Sequence, residues 1–203
     1  MPRSARADLS TEEISPLHDR AAENLRFIRE TMERAGAFTA VPGKGMVVVG
    51  LIALAGVLVG PRSVGQAWWV VFWLAEAALA VGLGGVSLVL KARRLKLPLL
   101  TGPGRRFFLA FSPPLVVGAV LTAVAFRHGL GGLLPGLWLL LYGTAVLCGG
   151  ALSVRIVPIM GASFMGLGGV ALFAPSFGLA AMTIGFAGLH LICGVLIARW
   201  YGG

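Results

Sequence analysis

Residues 66–96 read QAWWVVFWLAEAALAVGLGGVSLVLKARRLK. About two dozen apolar or small residues run on with one acid among them, Glu76, and stop at Lys91, Arg93, Arg94 and Lys96. At ~1.5 Å of helical rise per residue this run crosses ~30 Å of hydrocarbon. The basic exit assigns that end to the cytoplasmic side. Lipid, not water, is therefore the solvent this chain is written for.

Composition agrees. Of 203 residues, 57% are hydrophobic and only 12% are charged, about half the charged share of a soluble domain. Mean hydropathy is +0.88. Many of the 30 glycines fall inside apolar runs, as in transmembrane helices that pack through small side chains. The formal charge of +9 would suit a nucleic-acid partner. Most of the excess charge instead borders the apolar runs, where topology and anionic headgroups account for it. Cys148 and Cys193 lie within apolar runs without metal-ligand spacing, so no disulfide is implied. The polar N-terminus of mixed charge does not read as a signal peptide.

Upstream, residues 1–9 read as a disordered tail and a helix follows. Ser10 with Glu13 fits a capping box, and Ser15–Pro16 offers a second start. Ile14, Ala21, Leu25, Ile28, Met32 and Ala35 draw one apolar stripe. Arg20, Glu23, Arg26, Glu30 and Arg34 lie opposite it. This predicts a cytoplasmic amphipathic helix, with Leu25, Ile28 and Met32 as a candidate partner-binding stripe. Gly36 and Thr39–Gly43 end it, so residues 1–43 form a helix and linker, and residues 44–203 form the membrane bundle.

Six spans are predicted, making an all-α polytopic protein. They are Gly45–Gly60, Ala67–Leu90, Phe107–Phe126, Leu133–Val154, Ile156–Ala174 and Phe177–Ala198. The first is short and holds Gly56-x-x-x-Gly60, a close-packing pattern. Trp68, Trp69 and Trp73 read as interfacial anchors. Pro113–Pro114 should kink the third span. With the Lys91–Arg106 connection inside, both termini are inside too, together with Lys44, Arg155 and Arg199. Only Arg62, Arg127 and His128 fall outside, as the positive-inside rule asks. The halves show no inverted repeat of the kind common in transporters.

The chemistry available within the bilayer is sparse. Glu76 is the one acid after Glu33, and a charge at mid-membrane costs about 2.5–3.5 kcal/mol on insertion scales. Counting residues from the span ends brings Glu76, Tyr142 and His190 to similar depth, a candidate intramembrane polar cluster able to relay protons or bind a cation. The plainer reading is a protonated Glu76 sharing a hydrogen bond with one neighbour. His190 is read as a helix–helix hydrogen bond. There is no HExxH, no paired acids and no Cys cluster, so no metal or other cofactor is expected.

Gly161-Ala-Ser-Phe164 and Gly188-Leu-His190 resemble the serine and histidine segments of rhomboid intramembrane proteases, where an imidazole activates a serine. The likeness stops there: Phe164 replaces a glycine, and that family's Trp-Arg loop and His-x-x-x-Asn helix are missing. Three longer stretches, Arg26–Gly43, Gly149–Gly161 and Gly185–Gly194 with the terminal Arg-Trp-Tyr-Gly-Gly, resemble an uncharacterised group of small multi-pass bacterial membrane proteins. That resemblance implies an inner-membrane bundle and carries no activity. The expected partners are the lipid bilayer and a protein, or a second copy, met through the N-terminal helix and the glycine-rich faces; nucleic acid is not among them. The leading expectation is a non-enzymatic accessory or scaffold subunit. The alternative is a small transporter or proton-conducting protein built on Glu76.

Overall fold

The computed structural model describes residues 20–28, 39–97, 99–151 and 153–201. The chain divides into two units, residues 1–37 and Phe38–Gly203. In the first, residues 20–28 form a helix, α1. Ala21, Leu25 and Ile28 of the predicted stripe fall on it, whereas Ser10, Glu13, Ile14, Met32 and Ala35 lie outside the described residues.

The second unit is a bundle of apolar helices: α2 (Gly43–Val59), α3 (Ala67–Arg94), α4 (Gly102–Arg127), α5 (Gly131–Gly150), α6 (Ile156–Phe173) and α7 (Pro175–Trp200). Five of them, α3 to α7, are long and apolar enough to cross a membrane. The chain is an all-α polytopic membrane protein. The 17 residues of α2 give ~26 Å of helix, just short of a typical hydrocarbon core. α4 runs unbroken through Pro113 and Pro114, which leaves the carbonyls one turn earlier without their usual donors.

Glycine sets the packing of α5 on α6. Gly136, Gly143 and Gly150 recur at seven-residue spacing on α5 and meet α6, whose Gly161 and Gly168 share that spacing. A Cβ at Gly161 would stand 2.5 Å from the Leu147 nitrogen, and one at Gly168 2.6 Å from that of Leu140. The two backbones thus touch where a larger residue would hold them apart. α2 seats itself on α7 in the same way, Gly50 against Leu191 and Gly194 against Val47.

The α2–α3 seam is built differently. Gly45 meets Ser87, Gly84 meets Val49, Gly56 meets Glu76 and Trp73, and Gly60 meets Phe72. On α3 most of these positions follow the 69-73-76-80-84-87-91 register, one side of a helix. That register explains the tryptophans. Trp68 is exposed, as an interfacial anchor should be, but Trp69 and Trp73 are 0% and 3% exposed. They lie on the seam and not on the lipid side, and Trp69 stacks on Trp138 of α5, with centroids 5.3 Å apart.

Candidate functional site

The polar groups of the bundle fall into separate small networks. The most enclosed joins α5 to α7. Tyr142 Oη and His190 Nε2 are 2.7 Å apart, and His190 Nδ1 is 2.9 Å from the Phe186 carbonyl. A carbonyl only accepts, so Nδ1 carries the proton; in the neutral ring Nε2 then accepts from the Tyr142 hydroxyl. His190 is 3% exposed.

Local backbone geometry makes this arrangement. Within α7, Thr183–Leu189 winds as a π-helix between α-helical turns, a wide turn that is rare and recurs at functional sites. It presents Phe186 and His190 side by side, their rings 6.4 Å apart and nearly parallel. Gly185, in the same turn, leaves room for the Phe164 ring. Phe164 packs against Tyr142 at 4.9 Å and His190 at 5.5 Å. Phe111 closes another side, 6.3 Å from Tyr142.

The chemistry of this pair is limited by its walls. A proton relay needs a donor or acceptor beyond each end. Here one end is a backbone carbonyl and the surroundings are phenyl rings. The pair ties two helices together, and among the described residues no further side chain hydrogen-bonds to either member.

Glu76 is not part of it. Its carboxyl sits against Gly56 of α2, half-buried. Among the described residues no hydrogen bond joins it to Tyr142 or His190. The reason is rotational: the seam register turns Glu76 toward α2, whereas the tyrosine–histidine pair lies between α5 and α7. Similar depth along the membrane normal did not mean proximity within the plane. The serine of the rhomboid-like segment is equally apart. Ser163 donates to the Ile159 carbonyl of its own helix, and both ring nitrogens of His190 are engaged elsewhere.

Two further networks were not singled out from the sequence. Trp138 Nε1 donates to Thr122 Oγ1 at 2.8 Å, and Thr122 donates to the Gly118 carbonyl, tying α5 to α4. At the basic end of the bundle, Lys91 Nζ reaches the carbonyls of Val41 and Tyr201. A lysine at the end of an apolar run was read only as a topology marker, and nothing in its spacing announced these partners.

No group of three or more metal-ligating side chains occurs among the described residues. In α1, Leu25 and Ile28 are 68% and 52% exposed. No known protein family, curated protein or solved structure matches the chain.

Proposed function

We propose that this membrane protein is a non-enzymatic accessory or scaffold subunit of a larger assembly in the bacterial inner membrane, with both termini in the cytoplasm. The observation that carries the reading is the apolar stripe of α1. Ala21, Leu25 and Ile28 recur at steps of four and three on a helix outside the apolar spans, and an apolar stripe of that spacing is what a partner helix buries. The bundle's most enclosed polar groups hold helices together and leave no evident nucleophile–base pair. The test is a native pull-down of the full chain beside a form lacking residues 1–36. Loss of a specific partner on truncation is the expected result. A truncated form that keeps every partner removes the reading.

One observation favours a second reading, conduction of protons or a small cation through Glu76. Its carboxyl is half-buried at Gly56 and has no hydrogen-bond partner among the described residues, an expensive state that functional acids in membranes adopt. Flux measured in proteoliposomes decides it. A Glu76→Gln protein that folds normally and conducts as well as the unaltered protein excludes that role.

A further inference from the structure

Where α3 leaves the apolar layer, its surface toward the connection to α4 is only partly filled. A shallow, open cleft of about 410 Å³ runs along the last turns of α3 and the connection to α4. Its apolar walls are Val89, Ala92, Leu97, Leu99 and Leu100, and its polar residues are Arg93 and Thr101. Leu100 is largely uncovered, so this apolar surface is not consumed by the fold.

Among the described residues of the bundle, the charges next to the cleft in the sequence have one sign. Arg93 lines it, Arg94, Lys96, Arg105 and Arg106 flank its lining segment in the sequence and are exposed, and the chain holds no acid after Glu76. Thr101 precedes α4 without making a capping bond, and no acid occupies the first turn of that helix. The partly positive N-terminus of α4 therefore adds to the arginines.

We propose that this cleft binds one anionic phospholipid from the leaflet at the basic end of the bundle. The acyl chain lies along Val89, Leu97, Leu99 and Leu100, and the phosphate meets Arg93 and Thr101. The position selects a lipid over a soluble anion. The cleft begins beside a membrane-spanning helix, and five apolar walls contribute nothing to holding a free phosphate. Basic pockets at the membrane ends of helices recognise anionic headgroups by this same combination. The assignment is independent of whether the chain is an accessory subunit or a conductor.

The full chain, reconstituted in vesicles of equal phosphatidylglycerol and phosphatidylcholine and released for native mass spectrometry, tests this. The expected result is one retained phosphatidylglycerol per chain in preference to phosphatidylcholine. Arg93→Ala, an exposed position, should lower that retention about fivefold, the weight of one basic side chain at an anionic surface. Arg155→Ala, outside the cleft, should leave it unchanged. Leu99→Asp should lower retention of the lipid through its tail. Equal retention of the two lipids, no response to Arg93→Ala, or an equal loss in Arg155→Ala would overturn the site in favour of diffuse surface charge. Displacement of the lipid by inorganic phosphate alone would overturn the lipid assignment.

Discussion

The ammonium group of Lys91 lies 3.0 Å from the carbonyl oxygen of Val41, fifty residues earlier in the chain. The same group is 3.4 Å from the carbonyl of Tyr201. One side chain at the exit of α3 therefore joins the entrance of α2 to the exit of α7. Lys91 is 9% exposed, so its apolar stem is packed while its head serves main-chain oxygens that would otherwise lack donors.

Replacing Lys91 with Met keeps the stem and removes the donors. Two carbonyls in a partly buried position lose a charged partner, a change that costs about 1–3 kcal/mol. Thermal unfolding in detergent should fall accordingly, and protection of amides near Val41 should weaken first. An unaltered midpoint would show that the clasp contributes nothing.

Glycines of the same type should respond in opposite ways. Gly161→Ala places a methyl group 2.5 Å from the Leu147 nitrogen and 2.9 Å from the Gly143 carbonyl. Neither backbone atom can move without parting α5 from α6. Gly166 and Gly169 are on the same helix with nothing within 4 Å of a built Cβ. Alanine there should be neutral or stabilising by up to about 1 kcal/mol, the helix-propensity difference. A side-by-side unfolding series reads the contrast; equal effects at Gly161 and Gly166 would contradict the close approach.

The tyrosine–histidine pair should prove modest in energy. Hydrogen bonds between membrane helices average about 0.6 kcal/mol in double-mutant cycles, with a maximum near 1.7. Tyr142→Phe keeps the ring contacts with Phe164 and Phe186 and removes only the hydroxyl. Paired with His190→Phe, the cycle should return a coupling in that range. A coupling near zero would mean that the aromatic packing alone holds α5 to α7.

The helical class and the positions of the membrane helices were legible because twenty-residue apolar runs leave few alternatives. The Tyr142–His190 contact was half legible: depth follows from counting residues, but the in-plane partner depends on helix rotation. Glu76 shows the other side of that limit. Its register with Trp69, Trp73, Ser87 and Lys91 was present in the sequence and would have placed all five on one seam, away from His190. The heptad spacing of Gly136, Gly143 and Gly150 against Gly161 and Gly168 was likewise readable, where the glycine-rich faces drew attention by their composition and only Gly56-x-x-x-Gly60 by its spacing. The π-turn of α7 had no such signal, since its residues are ordinary for a transmembrane helix.

Lys96 supplies the last prediction. It is the single described non-glycine residue with positive φ, at 53°. Around it the end of α3 closes as a Schellman motif: Leu97 N–H donates to the Ala92 carbonyl and Lys96 N–H to the Arg93 carbonyl. The position that must be left-handed in that motif is usually glycine. A lysine there bears roughly 1–2 kcal/mol of backbone strain that glycine would not. Lys96→Gly should therefore stabilise the folded protein, by less than the full strain because glycine also gains freedom in the unfolded chain. The same substitution removes a cation next in sequence to Leu97 of the cleft wall. A variant that is more stable in detergent yet retains less phosphatidylglycerol would separate the two roles of this residue. A less stable variant would show that the lysine side chain itself, and not the turn geometry, holds the end of α3.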